Sequence, residues 1–228
     1  MTALSLLIKE KDEKYKDFSA KIVSDTKYPM IGVRVPNIRE IAKTLIVNGD
    51  FPLTANGFSY YEECLLFGLT IAGAKIPFDE KVKALYKYLP YVDSWGITDS
   101  VAAAFKDVRK NREKATDFIY SLLKSPLTYS RRFGVVLLTL YFTGDNFKAE
   151  HIKNVLLLKT GEYYVDMAVA WYMSVLLIKN RDAAMDVIKA RTLPPFIHDK
   201  AIQKATESFR ISAEDKIYLK SYKIKNAR

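Results

Sequence analysis

A chain of 228 residues, 49% hydrophobic and 27% charged, carries enough apolar material to close a core and too much to stay disordered. Its 36 Lys and Arg against 26 Asp and Glu leave a net charge of +10, which points either to a polyanionic partner, nucleic acid first, or to a lysine surplus that serves solubility. A single cysteine, Cys64, excludes an internal disulfide, and the two histidines, His151 and His198, lie too far apart for a zinc-ligand spacing, so a reduced, cytoplasmic protein without a metal or other cofactor is expected.

The opening "MTALSLLIKEKDEKYKDF" turns charged after its first residues, unlike an export signal, and the longest apolar run, "FGVVLLTLYF" (133–142), is half of a membrane span. No export and no membrane insertion are expected. Apolar residues then recur at helical spacing along the whole chain. They predict about a dozen helices of two to four turns, broken near Pro36, Pro52, Pro77, Pro90, Pro126, Gly144, Gly161 and the pair Pro194-Pro195. No stretch alternates as a strand would, so the fold class is all-α.

The helices opening "SYYEECLLFGLTIAG", "SWGITDSVAAAF", "SRRFGVVLLTLYF", "YYVDMAVAWYMSVLLI" and "IHDKAIQKATESF" overlay as the second members of successive helix pairs. Between Trp95 and Arg132 lie 37 positions of offset, and between Arg132 and Trp171 lie 39. A period of this length is close to that of HEAT and armadillo repeats, in which antiparallel pairs stack and each buries its apolar face on its neighbours. The expectation is one domain over 1–228, an α-solenoid of about six pairs with the second helices lining a concave binding face.

On the helix predicted from Ser94 to about Val108, capped by Asp93 or Ser94, the apolar stripe is Ile97, Val101, Ala104, Phe105 and Val108. Trp95, Asp99, Ala102 and Lys106 fall opposite it, with Ala102 leaving room for an approaching group. The Trp95–Asp99 pair is then either an indole packed on a neighbour beside a solvated acid, or a surface built to touch a ligand. Arg132 flanks the stripe Phe133, Val136, Leu137 and Leu140, near Thr139. Trp171 sits in a helix apolar almost all round, so periodicity leaves its direction open. The tail from Lys216, with Lys220, Lys223, Lys225 and Arg228, reads as a grip on phosphate or as a frayed, solvated end.

Four stretches together carry a resemblance: "GVRVPNIREIAK" (32–43), "DSWGITDSV" (93–101), "YSRRFGVVLL" (129–138) and "DMAVAWYMSVLL" (166–177). In order and spacing the chain resembles the AlkD-type alkylpurine DNA glycosylases, a HEAT-like-repeat family, from about residue 20 to residue 205. The resemblance implies Asp99 as the catalytic carboxylate and Trp95 and Trp171 as aromatic walls of the cleft. It implies Arg132 as the grip on the DNA backbone near the lesion, a role that a slip of one residue transfers to Arg131. The implied substrate is double-stranded DNA containing alkylated purines, excised by a monomer without the base flipping that most glycosylases use.

Two places depart from the family pattern. The early tyrosine that meets DNA in family members falls at Val23 or Ile22, with Tyr28 the nearest substitute, and the residue after the first tryptophan is Gly96, which opens the site or loosens the helix start. The chemistry suits the residues, with Lys106 as a further candidate for DNA contact. An N3- or N7-alkylated purine is already cationic, so the leaving group needs no proton. What the reaction needs is a carboxylate and indole faces against an oxocarbenium-like sugar. Two other readings are a non-catalytic DNA-binding member of the same fold, holding distorted DNA by its phosphates, and a protein-interaction solenoid.

Overall fold

The computed structural model describes residues 2–224. Among these residues the chain is helical, without a strand. Its helices are α1 (Ala3–Lys9), α2 (Glu13–Ile22), α3 (Val35–Asn48), α4 (Tyr61–Gly73), α5 (Phe78–Tyr88), α6 (Trp95–Ala104), α7 (Arg112–Leu123), α8 (Thr128–Tyr141), α9 (Ala149–Leu156), α10 (Tyr163–Lys179), α11 (Arg181–Ala190), α12 (Pro195–Glu207) and α13 (Ala213–Ser221). None is long and apolar enough to cross a membrane. The chain divides into two compact units, the first ending at Ala115 and the second beginning at Thr116, within α7.

The first unit is built around α4, which packs on α1, α3, α5 and α6. A helix apolar on nearly every side is readily covered on every side, and α4 supplies Cys64, Leu65, Leu69 and Ile71, all buried. Ile97 and Val101 of α6 close this core, and Phe105 stacks on Phe78 with ring centroids 5.4 Å apart. In the second unit α10 plays the same part, packing on α8, α11 and α12. From Ser130 to Thr139 every residue of α8 is buried.

The five helices whose spacing predicts a repeat are α4, α6, α8, α10 and α12, every second element of the chain. Within the first unit α4 packs on α6, and within the second α10 packs on both α8 and α12, as second members of stacked pairs do.

Four local expectations are corrected. The helix starting at Trp95 ends at Ala104 rather than near Val108, because Phe105 leaves helical geometry at ψ 60° to seat its ring in the core, and Lys106–Arg109 form a separate 3-10 turn. Ala102 is fully buried, so it offers no room for a ligand, whereas Leu140 is half-exposed instead of facing the core. The basic tail is not frayed over its first part. Lys216 and Lys220 lie on α13, which Leu219 anchors by burial and Asp215 by an ion pair to Arg181 at 2.6 Å. Lys225 and Arg228 lie outside the described residues.

Candidate functional site

The stretch 23–34, between α2 and α3, organises the site in the first unit. Glu62, buried in the first turn of α4, accepts three backbone N–H groups from it: Ile31 at 2.9 Å on Oε2, and Gly32 at 2.7 Å and Val33 at 3.1 Å on Oε1. A buried carboxylate is tolerated when its lone pairs are filled in this way. Gly32 is the residue that permits the approach. Its φ is +96°, its carbonyl accepts from Asp12 N at 3.0 Å, and a Cβ there would stand 2.6 Å from Asp12 O. This gives the physical reason for glycine at the head of "GVRVPNIREIAK".

The same stretch latches onto the start of α6. Ser94 caps that helix, its Oγ accepting from Gly96 N at 3.2 Å. Asp25 completes the cap from across the chain, taking Trp95 N on Oδ2 at 2.8 Å and Ser94 Oγ on Oδ1 at 3.1 Å. Asp93 reciprocates by accepting from Thr26 Oγ1 and Lys27 N, each at 2.8 Å. Tyr28 donates its hydroxyl to Tyr91 O at 3.0 Å, and burial pushes that phenol up to about 12. The Tyr28 hydroxyl is thus part of the latch.

With its first turn fixed, α6 presents Trp95 and Asp99 one turn apart, both half-buried. Both line a cavity of about 200 Å³, together with Tyr15, Phe18, Ile22 and Val23 at and after α2 and Tyr61 of α4. The Thr98 hydroxyl lies 3.1 Å from Asp99 Oδ1 and 2.9 Å from Trp95 O, joining the two site residues. A carboxylate set among aromatic rings in a mostly apolar hollow can stabilise a positive charge far better than in water. Val23 and Ile22, where an early tyrosine is missing, form part of this wall.

Gly96 lines the same cavity, yet it neither opens the site nor loosens the helix. The Tyr61 hydroxyl already occupies the space beside it, 2.5 Å from where a Cβ would be. Neither Tyr61 nor Asp25 is legible as a site residue in the sequence. Two adjacent tyrosines in "SYYEEC" do not say which one turns inward, and Asp25 caps a helix 70 positions away.

The second unit carries the remaining candidates. Arg131 and Arg132 are both buried on α8. Arg131 donates to Ser125 O at 2.8 Å and to Glu162 Oε1 at 2.6 Å, while Thr128 Oγ1 also donates to Glu162. The Thr128 hydroxyl and the Arg131 guanidinium hold the Glu162 carboxyl below its usual range. Arg132 donates from one terminal nitrogen to Tyr164 O at 2.6 Å, which orients its planar head. Trp171 is half-buried on α10, between neighbours that are wholly buried. Its outward row continues through Tyr164, Met167, Val175 and Ile178, all half-buried. Lys106 is exposed at the start of the 3-10 turn that follows α6.

His151 is fully buried, and its Nδ1 accepts from Lys148 N at 3.1 Å to cap α9. No group of three or more His, Cys, Asp or Glu side chains that could hold a metal ion occurs among the described residues. Compared with protein families, residues 3–205 match the model described as DNA alkylation repair enzyme. No curated protein matches the chain.

Proposed function

The chain belongs to the family of DNA alkylation repair enzymes, and from that premise we propose that it is a DNA glycosylase that removes cationic N3- or N7-alkylpurines from duplex DNA. One observation carries the reading: Trp95 and Asp99 line the same small, largely apolar cavity on a helix end fixed by Asp25. The lesion's positive charge makes its glycosidic bond weak. As that bond breaks, charge moves from the base to C1′ of the sugar, where Asp99 stabilises the oxocarbenium-like ion. The same carboxylate accepts a hydrogen bond from the attacking water and orients it. Trp95 offers its π face to the cation.

The second unit offers its own groups to DNA: Trp171 an indole face, and Arg132, oriented by its bond to Tyr164 O, a guanidinium for a backbone phosphate. Lys106 adds exposed positive charge after α6. Arg131 serves chiefly to hold Glu162. Asp99, Trp95, Arg132 and Trp171 all lie on second members of helix pairs. Excision without base flipping is the part of this reading that rests on the resemblance to AlkD-type glycosylases alone.

The test compares duplexes carrying 7-methylguanine with duplexes carrying hypoxanthine, a neutral lesion. Release of 7-methylguanine well above its spontaneous rate, with no release of hypoxanthine, is the expected result. Equal release of both contradicts the cationic-substrate chemistry. DNA binding without release from either leaves a non-catalytic DNA-binding protein.

A further inference from the structure

Residue 96 separates the two groups of the proposed reaction, and what fills the space beside it is a tyrosine from another helix. A Cβ on Gly96 would meet the Tyr61 hydroxyl oxygen at 2.5 Å, whereas the next atoms, Val23 Cγ2 and Ser94 Oγ, stand at 3.4 and 3.7 Å. Only the phenolic oxygen would clash. Tyr61 is 7% exposed at the first position of α4, its backbone N donating to Pro29 O at 3.0 Å, so the ring cannot swing away without leaving the core. Both Tyr61 and Gly96 line the cavity that holds Trp95 and Asp99. Val23 and Ile22 contribute only hydrocarbon to that wall. A side chain absent at 96 and a hydroxyl delivered from 61 are therefore two halves of one fit.

Resting on the glycosylase reading, we infer that Tyr61 is a positioning residue: its hydroxyl, wedged against Gly96, fixes the first turn of α6 and so the placement of Trp95 and Asp99 in the cavity wall. Burial raises the phenol's pKa above its ordinary value, so the hydroxyl stays protonated and neutral beside Gly96 at working pH. Small displacements of a catalytic group are enough to slow a reaction by orders of magnitude.

The experiment measures single-turnover release of 7-methylguanine, and separately the Kd for the same duplex, for wild type, Tyr61→Phe, Gly96→Ala, the double variant and Asp99→Asn. Tyr61→Phe keeps the buried ring and is expected to slow release about tenfold with Kd unchanged. Gly96→Ala is expected to slow it at least as much, because the new methyl displaces the hydroxyl. Removing the hydroxyl also removes the clash, so the double variant should be no slower than Tyr61→Phe alone, a strongly non-additive result. Wild-type rates in Tyr61→Phe, or a double variant slowed by the product of the two single effects, overturn the inference while Asp99→Asn still falls to background. If wild type and Asp99→Asn both release base only at the spontaneous rate, the glycosylase reading fails, and this inference with it. Should Tyr61→Phe fold poorly, Gly96→Ala carries the same expectation, since it leaves Tyr61 itself in place.

Discussion

Two helices, α6 and α10, each carry a half-buried tryptophan, yet they are fastened by different means. The first turn of α6 is pinned from outside, by Asp25 and Asp93 reaching between the stretch 23–34 and residues 93–95. The start of α10 is embedded in charge, with Glu162 gripped by Arg131 and Thr128, Asp166 accepting from Gly161 N at 3.0 Å, and Arg132 bonded to Tyr164 O. A latch of a few partly wet hydrogen bonds opens more readily than a network built on a buried guanidinium. The helix that bears the carboxylate is thus the one held by the wetter contacts.

Breaking the stronger fastening should have the largest effect on stability. Glu162→Ala leaves the buried Arg131 charge without its acid, at about 2 kcal/mol, a modest figure because Glu162 itself is partly exposed. Thermal unfolding measures it, and an unchanged Tm removes the network from the account. Acidification probes the second unit next. Burial pushes the His151 imidazole down to about 4 from 6.5, so the unfolded chain takes up the proton first. Stability is therefore complete above pH 6.5 and drains away as pH falls toward about 4, the reverse of a histidine that gains a partner. Melting at pH 7 and pH 5 should show the drop, and His151→Gln should lessen it. An equal drop in His151→Gln assigns the pH dependence to other groups.

Loosening the weaker fastening should change stability least and local order most. Asp25→Ala costs about 1 kcal/mol as a lost helix cap, but it should raise hydrogen exchange at the first amides of α6 while α10 is unaffected. Base release should slow with it, since Trp95 and Asp99 ride on that turn. Unchanged exchange at α6 would erase the distinction between the two helices.

Much of this was written in periodicity. The offsets from Trp95 to Arg132 to Trp171 picked out alternate helices, and of the stripe Ile97, Val101, Ala104, Phe105 and Val108 the helix buries Ile97 and Val101, Ala104 is half-buried, and Phe105 and Val108 reach the core from beyond the helix end. Helix ends were harder to see. An alanine run has no stop signal, and α6 ends at Ala104 because Phe105 gains more by stacking on Phe78 than by continuing the helix. Ala102 and Leu140 were misplaced because a side chain's surroundings are set by neighbouring helices that one helix's pattern does not describe. The partners of the site were hidden for the same reason. Asp25, Glu62 and Tyr61 act on residues about 30 to 70 positions away, and only the packing of α3 and α6 on α4, with the stretch 23–34 between α2 and α3, brings them there. Gly96 shows the point most plainly, since in sequence it is a gap and in the fold it is a space that Tyr61 fills.

The central claim is that Asp99 carries the chemistry, and single-turnover base release from a 7-methylguanine duplex by wild type and Asp99→Asn tests it most directly. Asparagine keeps the shape and removes the charge, so release should fall by about a hundredfold or more while DNA affinity holds. An Asp99→Asn variant that releases the base as fast as wild type contradicts the account.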